Sequence, residues 1–339
     1  VTVRVSDRVL TVDVGTSGCR AAVFPFGGAA PSASAVRTWT IRADPRYSGS
    51  LDVDLDATWA AIAGAIAECF DTAGAGDVRG SVAAVAVGSF RGGIVLMDER
   101  GAGLWACGAV DARASAQVRA IVEADSGYPE RAYHRTGQTP AMGALPRLLW
   151  VREHAPEVFE RTATVGMVAD WVLAQLTGER CSTPSNACTT GLLSLADRDW
   201  APDLFGSWDI PASLFPPVVE AGTVVGSVGA GAAAATGLAS GTPAVAAGGD
   251  ASLAAIGLGA TAASRGAIVG GSFWQQLVNL DRPVTDGGRR VRVNCHAMRD
   301  MWQADALVFE AGIAHRWFVD AFGAGESCAS LDARAARVP

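Results

Sequence analysis

Two short stretches set a carboxylate among small residues: Asp13 in DVGTSG and Asp250 in AAGGDASLAA. In the first, Asp13 ends an apolar run and is followed by Gly15, Thr16, Ser17 and Gly18. Glycines let the backbone approach an anion, hydroxyls and N–H groups donate to it, and the carboxylate can hold a hydrated divalent cation. In the second, Asp250 follows two glycines near the start of a predicted helix, whose N-terminus favours the ionised form. A carboxylate held at a strand end and facing a cleft can take a proton from a hydroxyl. Each stretch also has a plain reading, a hairpin turn for the first and a helix N-cap for the second. Only their pairing in one chain raises the chemical reading.

GSFRGG and VDAR put Ser89, Phe90, Arg91, Asp111 and Arg113 on loops after strands, where α/β proteins bind ligands, with surface turns as the competing view. His134, His154, His296 and His315 show no metal-like spacing and read as structural. All 27 basic residues are Arg, so a Walker phosphate lysine and a Schiff base are excluded. Anions must be met by Arg, backbone N–H groups or a metal.

These residues need elements to hold them. RVLTVDVGTSGCRAAVFPF predicts a strand hairpin, and DLDATWAAIAGAIAECF an amphipathic helix through Trp59, Ile62, Ile66 and Phe70 behind Asp caps. SVAAVAVGSFRGGIVLMDERG reads as strand, turn, strand, and LWACGAVDARASAQVRAIVE as an extended piece running into a helix. ALPRLLWVREHAPEVFE and MVADWVLAQLT are helical, the second stopped by Gly178. The Pro, Gly and Ala of 198–243 mark a boundary, after which TPAVAAGGDASLAAIGLGA reads as strand, glycine turn and helix. IVGGSFWQQLVN then echoes the first hairpin, a weak internal repeat that suggests two related lobes across a cleft. The architecture is α/β.

The formal charge of -7, without an Arg stripe, argues against nucleic acid. Seven scattered cysteines contain no C-x-x-C and suggest free thiols in a reducing cytoplasm. No basic, apolar leader is present, and Pro243 and Asp250 interrupt the Ala/Gly-rich run of 229–263, so neither secretion nor a membrane span is expected.

Taken in order, VDVGTSGCR, GSFRGGIVLMDERG, VDARA, LPRLLWVREHAPEVF, DWVLAQLTGE, ATGLASGTPAVAAGGD and VGGSFWQQ resemble the FGGY family of carbohydrate kinases over nearly the whole chain. PSNACTTGLLSL, VGGSFWQQLVNLDRPVTD, VRVNCHA and HRWFVDAFG are most similar to the branch that phosphorylates a linear signal, 4,5-dihydroxy-2,3-pentanedione (autoinducer-2), at a terminal hydroxyl. The resemblance implies a two-lobed, actin-like (ribonuclease H-like) ATPase fold around a deep cleft. An N-terminal domain would cover 1–242 and a partial C-terminal domain 243–339, with ATP and Mg²⁺ on one side of the cleft and the polyol on the other.

By motif match, the resemblance makes Asp250 the base, with Asp13 supporting metal and phosphates. Gly15, Thr16 and Ser17 would form the first phosphate turn, Gly271 and Ser272 its counterpart, and Phe90, Arg91, Asp111 and Gln138 the substrate wall. The implied partners are ATP and a small polyol or carbonyl compound, in the cytoplasm, with a homodimer left open. Two departures stand out. Gly92 occupies a position that is acidic in the resembling branch, and the chain stops at Pro339, before the glycine-rich adenosine site expected of the family, so the second lobe is expected to be incomplete. A pentulose or polyol kinase such as a xylulokinase is the nearest alternative, and GGSFWQQ argues against it because sugar kinases commonly carry a Gly-Thr-Ser-Gly type turn there. A non-catalytic substrate-binding protein is the other.

Overall fold

The structure, a computed structural model, describes residues 7–72, 78–270, 273–308 and 311–338. The predicted hairpin forms: β1 (Arg8–Gly15) turns at Thr16 and Ser17 and returns as β2 (Gly18–Pro25), with Gly15 opposite Gly18. Leu10, Val12 and Val14 alternate into the core, which leaves Asp13 on the open face. β3 (Ala33–Thr38) continues this antiparallel run, while β4 (Val82–Ser89) joins β1 in parallel.

Away from that sheet, β5 (Ile94–Met97), β6 (Gly103–Cys107) and β7 (Thr164–Gly166) make a small sheet, and β8 (Leu193–Ser194) and β9 (Asp199–Trp200) a short ladder. β10 (Val224–Ser227) and β11 (Pro243–Gly249) return to the main sheet, whose order is β10-β11-β4-β1-β2-β3. Its centre is therefore three parallel strands, β11, β4 and β1. A second, antiparallel sheet has the order β12-β13-β15-β14, from β12 (Gly266–Gly270), β13 (Trp274–Leu280), β14 (Arg292–Cys295) and β15 (Trp302–Val308). The β12–β13 pair is the predicted echo of the first hairpin, with Gly270 opposite Trp274. The boundary expected at 242/243 falls just before β11, which pairs with β4 in the main sheet.

The helices are α1 (Leu55–Thr72), α2 (Ser115–Ala124), α3 (Tyr128–Thr136), α4 (Ala144–His154), α5 (Pro156–Arg161), α6 (Val168–Thr177), α7 (Pro184–Ala187), α8 (Ala230–Thr236), α9 (Asp250–Gly257), α10 (Ala311–Phe322) and α11 (Cys328–Ala335). Asp54 opens α1 as predicted, its Oδ1 accepting from the Ala57 N–H at 2.9 Å. The 62, 66, 70 spacing buries Ile62, Ile66 and Phe70 against the main sheet, each contributing about 1.5–3 kcal/mol. α6 lies beside α1, with Trp59 and Trp171 edge to face at 6.4 Å, and ends at Gly178 in the left-handed conformation. Among the described residues no helix is long and apolar enough to cross a membrane.

The first turn of α6 carries a buried acid. Asp170 accepts from the Met167 N–H through Oδ2 at 2.8 Å, and its Oδ1 has no hydrogen-bond partner among the described residues. Burial pushes the carboxyl from its ordinary 3.8 up to about 7, and the Met167 N–H and the nearby Ser182 hydroxyl only partly oppose this. A folded-state value above the unfolded one means the fold favours the protonated form. Stability is therefore highest below 3.8 and is lost as pH rises through about 7. Asp170→Asn keeps the acceptor for Met167 without the charge, so we expect it to stabilise the protein at pH 8 by about 2–4 kcal/mol and to leave it within about 1 kcal/mol of wild type at pH 4. Urea unfolding of both proteins at the two pH values checks this, and an equal difference at both would remove Asp170 as its cause.

Candidate active site

The three central parallel strands end at one edge of the sheet, and their register places the chemistry there. Asp13 of β1 lies opposite Gly88 of β4, and Gly88 in turn lies opposite Gly248 of β11. Arg91 follows β4 by two residues, and Asp250 follows β11 directly as the first residue of α9. The β11 ladder skips a residue between Ala246 and Gly248, and Gly248 has φ +119°, a conformation open chiefly to glycine. A Cβ there would also meet the Ser185 hydroxyl at 2.3 Å. Such an irregularity at a strand end re-aims the side chain that follows it, here Asp250.

The Asp250 carboxylate accepts from the Ala251 N–H at 2.7 Å and lies 3.7 Å from Arg91 Nε. Its side chain is 40% exposed, toward cavities on both sides. Burial raises its pKa, Arg91 and the Ala251 N–H pull it back, and the charges of Asp13 and Asp305 raise it further. Asp13 is likewise raised by burial and eased by Arg20.

One cavity, about 80 Å³, is lined by Thr16, Phe90, Arg91, Asp250, Gln275 and Asp305 among others. The other, about 690 Å³, is lined by Asp13, Gly15, Gly88, Asp250, Ala251 and Gln275 among others. Asp250 and Gln275 line both, so they stand at the junction.

Arg91 ties the two sheets together. Its Nη2 donates to Gln275 Oε1 on β13 at 2.8 Å and to Asp305 Oδ2 on β15 at 2.9 Å. Burial works against its charge, but Asp305 and Asp250 outweigh that and hold it protonated. Behind this pair, Asn294 Nδ2 approaches Asp305 Oδ2 at 3.4 Å, Gln138 Nε2 donates to Asn294 Oδ1 at 3.0 Å, and Arg292 Nε donates to Gln138 Oε1 at 2.9 Å.

The structure thus gathers Asp13, Gly15, Thr16, Phe90, Arg91 and Asp250 around the junction. Ser17 lines neither cavity, and its carbonyl accepts from the Trp39 N–H at 3.0 Å. Asp111 lines neither cavity as well: Arg113 grips both of its oxygens, and Oδ2 also receives the Leu51 N–H at 2.6 Å. Gln138 sits one layer back and touches the small cavity only through Asn294 and Arg292. Gly271 and Ser272 lie outside the described residues. His296 is buried, accepts from the Met298 N–H through Nδ1 at 2.9 Å, and is pushed by burial down to about 4, a neutral structural group.

Sequence reasoning did not single out Asp305, Arg292 and Asn294. The signal was present in WQADALV: Gln303 and Asp305 occupy the buried positions of an alternating strand, where apolar residues are the rule.

Residues 8–257 match the model of the FGGY family of carbohydrate kinases, N-terminal domain. The chain is 41% identical over 321 residues to an autoinducer-2 kinase of Enterobacter sp. (strain 638), covering 94% of this chain and 60% of that one. It is 40% identical over 319 residues to an autoinducer-2 kinase of Escherichia coli (strain K12), with the same coverage. Among solved structures, xylulose kinase from Rhodospirillum rubrum superposes with a TM-score of 0.86 at 28% identity, over 98% of this chain and 67% of that one. The chain spans about three fifths of the length of the curated relatives it matches.

Proposed function

The chain belongs to the FGGY family of carbohydrate kinases, and on that premise we propose that its site carries ATP-dependent phosphoryl transfer to a terminal hydroxyl of a small neutral polyol, with autoinducer-2 (4,5-dihydroxy-2,3-pentanedione) as the substrate. One observation carries the reading: Asp250 stands between a small cavity that Arg91, Gln275 and Asp305 also line and a larger one that holds Asp13 and Gly15.

The polyol occupies the small cavity with its reacting hydroxyl against Asp250. The phosphates of ATP occupy the larger one, beside Gly15 at the entry to the β1–β2 turn, in a chain that has no lysine to meet them. As the hydroxyl oxygen bonds to the γ-phosphorus, its proton passes to Asp250, and the bond to ADP breaks on the opposite side. The products are a phosphomonoester, ADP and a proton.

The residues also fit Mg²⁺. Asp13 and Asp250 line the larger cavity with repelling charges, and among the described residues no group of three or more His, Cys, Asp or Glu forms a self-sufficient metal cage. That donor set suits an ion bound by one or two carboxylates and by substrate phosphates. Asp13 would hold it, and the ion would supply neutralisation of phosphate charge.

The substrate assignment rests on the autoinducer-2 kinase relatives and on Gln275, which belongs to the FWQQ segment and lines both cavities. Phosphorus NMR of the protein with ATP, magnesium and either the pentanedione or xylulose tests it. We expect phosphomonoester to form with the pentanedione at a kcat/KM at least about tenfold above that with xylulose. The reverse order sinks the assignment in favour of the xylulose kinase reading, and binding without transfer favours a substrate-binding protein.

A further inference from the structure

We propose that Asp305 reads a second hydroxyl of the acceptor, adjacent to the one that Asp250 deprotonates, so that the small cavity selects a vicinal diol. The inference rests on the reading of that cavity as the polyol site.

Asp305 lines the cavity with a side chain only 3% exposed, yet it commits a single oxygen. Oδ2 receives Arg91 Nη2 and Asn294 Nδ2, while the buried Oδ1 has no hydrogen-bond partner among the described residues. Arg91 carries the complementary gap. Its Nη2 is committed to Gln275 and Asp305, but Nε is buried without a hydrogen bond among the described residues, 3.7 Å from Asp250 Oδ1. A structural ion pair gains nothing by leaving an acceptor and a donor open in the interior, where unmet polar atoms are costly.

One ligand group answers both gaps. A hydroxyl accepts from Arg91 Nε and donates to Asp305 Oδ1, whereas a carbonyl can only accept and a carboxylate would be repelled. Because Nε also lies beside Asp250, the hydroxyl read here neighbours the one that reacts.

The charges of the wall suit such a ligand. The cavity lining contains Arg91 and Arg292 against Asp250 and Asp305, a balance that suits an uncharged ligand over a sugar acid. Gly92 offers no side chain, its N–H donates to Thr189 Oγ1 at 3.2 Å, and its carbonyl is taken by Arg147.

Titration calorimetry with paired probes tests the inference: 4,5-dihydroxy-2,3-pentanedione against 5-hydroxy-2,3-pentanedione, and xylulose against 4-deoxyxylulose. We expect wild type to bind the diol of a pair at least about tenfold more tightly than its partner. Asp305→Asn should bring the two within about threefold while leaving the affinity of the probe without the adjacent hydroxyl nearly unchanged. A purely structural role weakens both members alike, which separates recognition from packing. Because Asp305→Asn strands the charge of Arg91, its folding is checked by thermal melting, and the double variant Arg91→Gln/Asp305→Asn, which removes the pair together, should lose the preference in the same way.

A variant that keeps the wild-type preference, or that loses both probes equally, overturns the inference, as does a wild type that ignores the second hydroxyl. If only the xylulose pair binds, the substrate assigned above fails while the xylulose pair still decides the role of Asp305. If neither pair binds, both readings fall.

Discussion

With Asp250 as the base proposed above, Asp250→Asn should lower turnover by about 10³-fold while polyol affinity stays within about threefold of wild type. The amide keeps the shape of the side chain and can still accept from the Ala251 N–H, so α9 begins as before. What it loses is a site for the substrate proton, a contribution made only in the transition state. The surroundings of the carboxylate also fix the pH dependence. Burial holds its pKa above the usual Asp range, against the opposing pull of Arg91. The base form is lost as pH falls through that raised value, so the acid limb of kcat/KM lies higher than for a solvent-exposed Asp, and the limb disappears in Asp250→Asn. Steady-state rates across pH with calorimetric affinities test both parts. A variant that retains more than about a tenth of wild-type turnover reduces Asp250 to a helix-terminal residue.

The parts of this site that follow local rules were legible in the sequence. DVGTSG had to turn because glycines and hydroxyls separate two apolar runs, and GGD had to close a strand because apolar residues precede it and Ala-rich helix follows. Periodicity placed α1 and α6 for the same reason. Pairing across distance was hidden. Nothing in VDAR shows that Arg113 occupies both oxygens of Asp111, and nothing near Gln138 shows that Arg292, 154 residues later, donates to it. Sheet membership was hidden too: β11 follows a Pro- and Gly-rich stretch that reads as a boundary, but its fully apolar, small-residue face fits between β4 and β10. In FWQQLVN the alternation was visible and its direction was not; the fold turns Gln275 to the cavities and leaves Trp274 and Gln276 exposed.

Arg147 shows how far such hidden pairing reaches, and its removal should be the most damaging change to the fold near the site. It lies on α4 with 1% exposure and, among the described residues, meets no carboxylate in its hydrogen bonds. Its guanidinium donates instead to the carbonyls of Gly92, of Ala109 at 2.8 Å and of Asp111 at 3.2 Å. Those carbonyls belong to the two loops that carry Phe90 and Arg91 on one side and Ala109 and Val110 on the other, all lining the small cavity. Arg147→Met preserves much of the volume but leaves three carbonyls without this donor, that of Asp111 buried and those of Gly92 and Ala109 half-buried, at up to about 1–3 kcal/mol each. Because neighbouring losses do not simply add, the expected destabilisation is on the order of 5 kcal/mol. Arg147→Lys should recover less than half of it, since one ammonium cannot serve two loops as the planar fork does. Polyol affinity should fall in both variants under conditions where they remain folded, because the loops lose their common tether. Urea unfolding and titration calorimetry measure the two effects separately; a stability loss in Arg147→Met below about 1 kcal/mol would mean that packing alone holds the loops together.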